Sequence, residues 1–238
     1  MGYSPQETDR PLVLAPGNEC MNEAWIIDAA RTPRGIGKRG KGALAEIHPQ
    51  KILSTVFRSL VERTNISTSD IDDVIVSCSH QFMKQGSCIG RMAALDAGFS
   101  INASGVTLDR FCGGGITSVN FGAATIMSGM EDLIVAGGVE VMSYYREVEP
   151  PNTLDAGNID LREAHPQLSV GVAADVIACE EGFSRESLDA FSVESQRRAG
   201  AALESGAFAR SLVPVYNPDG SLAPVSYTHL TLPTKRIV

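Results

Sequence analysis

The chain reads as an α/β protein built on a parallel sheet. Short strand-like runs, AWIIDA, DVIVS, VTLDRF and DLIVAG, alternate with longer helical stretches. Those runs are mostly apolar, and their alternation with helices implies a parallel sheet covered on both faces. A hydrophobic content of 43% and a charged content of 20% over 238 residues is enough to bury a substantial core.

Taken in order, Ala24 to Ala29 predicts a short buried strand. Pro49 to Asn65 carries Ile52, Leu53, Val56, Phe57, Leu60 and Val61 on the spacing of an amphipathic helix. Ser67-Thr68-Ser69-Asp70 predicts a capped turn before the β-branched strand Asp73 to Ser77. A helix over Arg91 to Ala97, a buried strand over Val106 to Phe111, a small-residue helix over Ile116 to Gly129 and a buried strand over Asp132 to Gly137 complete the alternation. Right-handed crossovers would then bring the loops after each strand to one edge of the sheet, where open α/β folds bind ligands.

Composition shifts after Tyr145. Arg146 to Gln167 is rich in Pro, Glu, Asp and Asn and predicts a surface loop. Val170 to Glu181 predicts a helix. Ser184-Arg185-Glu186-Ser187 opens another that runs to about Ser205, with Leu188, Phe191, Val193 and Ala199 on its apolar side and Gly206 as its stop.

The formal net charge of −8 argues against a nucleic-acid partner, although Arg34 to Lys41 is locally basic. No apolar run is long enough to span a bilayer, and residues 1–21 lack secretory or transit features, so a cytoplasmic protein with a disordered amino-terminal extension is expected. Five cysteines without a CxxC pair suggest reduced thiols rather than a disulfide framework or a metal site. A Cys88–Cys112 exchange is the least favoured reading of the pair.

Phe111-Cys112-Gly113-Gly114-Gly115 places one thiol at a strand-to-helix switch. First-turn N–H groups and the positive end of the helix dipole favour a thiolate there and can hold an oxyanion, and the glycines permit close approach of a substrate. A packed turn is the other reading of these residues. Asp109-Arg110-Phe111-Cys112-Gly113-Gly114-Gly115, followed by Gly137-Gly138-Val139-Glu140-Val141-Met142-Ser143, resembles the thiolase family around its acylated cysteine. Ala29-Ala30-Arg31-Thr32-Pro33, Gln85-Gly86 with Arg91-Met92-Ala93-Ala94-Leu95, Gly171-Val172-Ala173-Ala174-Asp175 and Phe183 to Gln196 resemble further family segments in the same order.

The resemblance implies a thiolase-like fold: an amino-terminal layered αβα domain over 22–145, and a mostly helical, CoA-covering loop domain, cut short, over 146–223. It implies ping-pong acyl transfer between a 3-oxoacyl-CoA or acetyl-CoA and CoA, with Cys112 as nucleophile and its backbone N–H in an oxyanion hole. CoA and acyl-CoA are then substrates, with no covalently bound cofactor and no metal, and a homodimer or homotetramer is implied. Weak substrate-binding candidates are Ser169, where some relatives have a histidine on the CoA side, and Gly171. Glu140 and Ser143 are expected to support the site rather than react, and Arg31 to anchor the first turn.

The family's other catalytic groups, a histidine and a second cysteine, belong to carboxyl-terminal motifs that this sequence does not contain. Neither His48 nor His165 stands in the family's context. Val225 to Thr234 resembles a translated sequencing adapter, so 224–238 is expected to be a non-native tail and the chain an inactive amino-terminal fragment. A non-catalytic acyl-CoA-binding or scaffold role is the alternative.

Overall fold

The computed structural model describes residues 23–38, 41–144 and 154–223. The extension 1–21, the tail 224–238 and the first part of the Arg146–Gln167 loop lie outside the described residues.

Helix α1 spans Pro49–Thr64. His48 caps its start, the ring Nδ1 accepting from Gln50 N at 3.3 Å, and Pro49 occupies the first turn, where its missing N–H costs nothing. Asn65, in the left-handed conformation, ends it. The Ser67 hydroxyl then caps the short 3₁₀ turn Thr68–Asp70 as expected. Strand β1 is Asp73–Ser77, α2 is Ile89–Asp96, β2 is Val106–Leu108, α3 is Gly114–Met127 and β3 is Ile134–Gly138.

The three strands form a parallel sheet in the order β2–β1–β3. Ser77 stands opposite Leu108 on one side and Gly138 on the other, so all three end level at the carboxyl edge. Strand alternation sends Val74, Val76 and Val135 into a core with Leu53 and Phe57 of α1 and Ala93 and Ala94 of α2. Phe57 stacks on Phe99 at 5.4 Å between ring centroids. On the opposite face lies α3, with Gly122 close enough that an added Cβ would stand 3.2 Å from Ile134 Cγ2. The sheet is thus covered on both faces.

A carboxylate locks α1 to α2. Asp96 accepts from Ser54 Oγ at 2.5 Å and from Lys51 Nζ, while Arg58 Nη1 donates to the Asp96 carbonyl at 2.8 Å.

Several expectations are corrected. Ala24–Ala29 forms no strand: Trp25, Ile26 and Ile27 are exposed, and this segment runs beside β3 across a trough of about 870 Å³ without joining the ladder. Hydrogen bonds that would hold it are made instead just beyond it, where Arg31 bridges Leu212 through Arg31 N to Ser211 O (2.8 Å) and Val213 N to Arg31 O (2.9 Å). The guanidinium of Arg31 also lies over the Phe208 ring at 5.1 Å. Strand β2 stops at Leu108 rather than Phe111, because the Asp109 side chain accepts from Phe111 N at 2.8 Å and turns the backbone. Phe111 is 65% exposed, not buried.

Within the expected loop, Ile159–Ala164 forms a short helix, α4, because Asn158 caps it by accepting from Leu161 N at 3.1 Å. Helices α5 (Val170–Glu180) and α6 (Arg185–Glu204) match expectation, with Ser169 and Ser184 as caps. The apolar side of α6 is not packed: Leu188, Phe191 and Val193 are all exposed. Beyond α6 the chain returns to the sheet domain, where Val215 and Ala223 are buried with Leu44, Ile47, Ile52, Val141 and Tyr144. No helix among the described residues is long and apolar enough to cross a membrane.

Candidate active site

Cys112 lies four residues past the end of β2, in the 3₁₀ turn Phe111–Gly113 that runs directly into α3. The turn is closed by Gly113 N to Arg110 O at 3.0 Å and by Gly114 N to Phe111 O, a pattern that does not use the Cys112 amide. Phe111, immediately before the thiol, has φ +44°, a left-handed conformation that costs a residue with a Cβ on the order of 1 kcal/mol. That bend turns the chain from strand to helix within three residues and leaves Cys112 exposed at the amino-terminal end of α3. There, the positive end of the α3 dipole favours a negative charge.

The position of the turn is set from below by β1. A Cβ on Gly114 would overlap the Ser77 hydroxyl and stand 2.7 Å from Ser77 Cβ, so only glycine lets α3 start this close to the sheet. The strand leading to Cys112 is held by Cys78 N donating to Leu108 O at 3.0 Å. Cys78 itself is a packed core thiol, pushed up to about 12 by burial and then by the negative charge of Glu140.

A polar network sits at the same edge. Glu140, two residues past β3, accepts from Ser79 N (2.9 Å) and His80 N (3.4 Å) through Oε2, and from Gln85 Nε2 (2.7 Å) through Oε1. The His80 ring Nδ1 lies 3.4 Å from Glu140 Oε1. Gln85 is fully buried, with Nε2 also donating to His80 O at 3.0 Å and Oε1 accepting from Val141 N at 2.7 Å. The Glu140 carboxylate is thus engaged by donors from the loop after β1. Ser143 is buried beneath Gly42, where a Cβ would collide with it. The participation of Gln85 and His80 was not read from the sequence. A signal existed for His80: it falls three residues past a predicted strand, at the edge that holds Cys112.

Other sequence candidates are not brought to Cys112 by any hydrogen bond. Ser169 caps α5, with Oγ accepting from Val172 N at 3.5 Å, and Gly171 is exposed with open space where a Cβ would point. His48 is engaged as a cap, and burial together with the Lys84 charge lowers its basicity. His165 ends α4 and is exposed. Among the described residues no side chain hydrogen-bonds the Cys112 sulfur. Cys88 does not approach it either: its sulfur donates to Gly105 O at 3.4 Å, before the start of β2, whereas Cys112 follows the end of that strand.

Comparison with known proteins agrees with the geometry. The sequence model described as "Thiolase, N-terminal domain" matches residues 24–226. A steroid 3-ketoacyl-CoA thiolase of Mycobacterium tuberculosis is 36% identical over 212 residues, covering 84% of this chain and 51% of that protein. A 3-ketoacyl-CoA thiolase of Bacillus subtilis is 34% identical over 197 residues, covering 82% of this chain and 49% of that protein. An acetyl-CoA acetyltransferase of Chromobacterium violaceum is 33% identical over 218 residues, covering 86% and 54% respectively. The chain spans about half the length of the curated relatives it matches. With a parallel sheet sandwiched by helices, an exposed cysteine at the strand-to-helix switch and this match over most of its length, the chain belongs to the thiolase family, in its amino-terminal domain.

Proposed function

We propose that this chain carries the nucleophile of an acyl-CoA C-acyltransferase, the reading supported by the printed names of its relatives and carried by the placement of Cys112. The Cys112 thiolate attacks the 3-oxo carbonyl of a 3-oxoacyl-CoA, and the carbonyl π electrons move onto oxygen. Amide N–H groups at the start of α3, including that of Cys112, are the donors at hand for this oxyanion. When the oxyanion collapses, the bond between the 2- and 3-carbons breaks. Acetyl-CoA leaves as its carbanion and takes up a proton, and the acyl group remains on Cys112 as a thioester. Attack by the CoA thiolate then transfers the acyl group and regenerates Cys112. Two acyl-CoAs would condense by the reverse sequence.

Both steps need proton transfer. The family resemblance places those groups in motifs outside this sequence, and no base among the described residues is bonded to the sulfur. The 238-residue chain is therefore expected to accept an acyl group slowly and not to turn over. A homodimer or homotetramer is part of the proposal, with the open edge of β2, whose Val106 is 43% exposed, available for pairing.

Intact-mass and peptide mass spectrometry after incubation with acetyl-CoA tests the nucleophile. One acetyl thioester on the Cys112 peptide, absent from Cys112→Ser, is expected. Equal labelling of Cys88 and Cys179, or labelling that survives the substitution, would overturn it.

A further inference from the structure

We propose that Glu140 and Gln85 are positioning residues for Cys112, an inference that rests on the reading of Cys112 as nucleophile. Neither hydrogen-bonds Cys112; they act through the end of β1. Ser77 braces the first residue of α3 through its contact with Gly114, and Cys78 holds Leu108 at the end of β2. The next two residues, Ser79 and His80, lie past the end of β1. Their amides are gathered by Glu140 Oε2, while Gln85 Nε2 takes the His80 carbonyl. Gln85 Oε1 closes the arrangement on Val141 N, beside Glu140. One carboxylate and one fully buried amide thereby clip the loop after β1 to the loop after β3, directly behind the two residues that brace the cysteine turn.

The polarity of the clip is specific. Glu140 offers acceptors only, and Gln85 offers two donors to Glu140 and His80 and one acceptor to Val141. Gln85→Glu would set two carboxylate oxygens about where a 2.7 Å hydrogen bond now stands. Glu140→Gln would face one amide donor with another or with the Ser79 and His80 N–H groups. Exchanging the two residues restores a donor–acceptor pair between them and keeps acceptors for Ser79 N, His80 N and Val141 N, but the His80 carbonyl then faces a carboxylate oxygen and the contact of His80 Nδ1 with a carboxylate is lost, so the restoration is partial.

The test compares the wild-type chain, Gln85→Glu, Glu140→Gln and the exchanged double variant by iodoacetamide alkylation of each cysteine and by hydrogen exchange of the 79–85 and 139–144 peptides, with urea midpoints recorded. Each single variant is expected to speed exchange of both peptides at least tenfold and to change the Cys112 alkylation rate at least threefold, with Cys88 and Cys179 unchanged. The double variant is expected to recover both readouts at least partly. Faster exchange with an unchanged Cys112 rate would reduce the clip to a structural role and refute the proposal, as would unchanged exchange or a double variant no better than the singles. If a single variant does not fold, recovery of folding and of the Cys112 rate in the double variant decides the matter. Failure of the nucleophile reading is distinguishable, because it appears in the wild-type chain as an absence of acetyl label on Cys112.

Discussion

Gly114→Ala is the most discriminating substitution for the way α3 is seated. Gly114 has φ −59° and ψ −42°, ordinary right-handed helix, so alanine meets no backbone strain there. Helix propensity alone would favour alanine over glycine by about 1 kcal/mol. Against that, the new methyl would overlap the Ser77 hydroxyl and lie 2.7 Å from Ser77 Cβ, at the end of the central strand, which is paired on both sides. Overpacking of this kind costs about 1–3 kcal/mol, so a net loss of up to about 2 kcal/mol is expected in urea unfolding, together with an altered Cys112 alkylation rate as the helix start is pushed off the sheet. Gly115→Ala is the internal control: its Cβ would meet nothing within 4 Å, so it should be neutral or stabilising by up to about 1 kcal/mol. Ser77→Gly in the Gly114→Ala background should return part of the loss. If Gly114→Ala were as stable as Gly115→Ala, with unchanged Cys112 reactivity, the claim that Ser77 sets the position of the cysteine turn would fail.

Two further outcomes concern pH. Cys78, buried and pushed up to about 12, should resist iodoacetamide at pH 8 in the folded chain while the exposed Cys88, Cys112 and Cys179 react. Because its folded value is raised, its stabilisation is complete below the ordinary thiol value near 9.0 and is lost as pH climbs from there toward about 12, by up to about 1.4 kcal/mol per pH unit; an alkaline limb of the stability curve unchanged in Cys78→Ala would refute this. Asp96 runs the other way. Burial raises its carboxyl, but the Lys51 and Ser54 hydrogen bonds and the Lys51 and Arg58 charges outweigh that and leave it below the usual carboxylate value. Its contribution is present above about pH 3.8 and lost as pH falls through the lowered folded value. Asp96→Asn should therefore cost about 1 kcal/mol at pH 7, and the gap should close as pH falls through the lowered folded value; an undiminished gap at low pH would show that the charge is not what links α1 to α2.

Helix α1, strand β1, and helices α5 and α6 were legible in the sequence, because their signals are local. A proline and a cap at one end, apolar spacing along one face, and a run of β-branched residues act over neighbouring positions. The cysteine turn was legible for the same reason, since glycines after a thiol mark a close approach wherever the chain goes. The misreadings share a cause. AWIIDA has strand composition, but a strand exists only where an edge receives it, and that segment runs alongside β3 without entering the ladder. Asn158 looked like loop polarity and is a cap. Phe111 looked like the buried end of a strand, but the Asp109 side chain captures its amide first.

Local chemistry thus suffices for the alternation of elements, the parallel sheet and the candidate nucleophile, because propensity, capping and hydrophobic period are properties of adjacent residues. Which residues brace that nucleophile is a different kind of fact. Ser77 under Gly114, Gln85 against Glu140, and Glu140 behind Ser79 are contacts between residues 37, 55 and 61 positions apart in the sequence. Long-range packing alone selects them, because a buried polar group reveals its partner only once the sheet has brought three strand ends to the same edge.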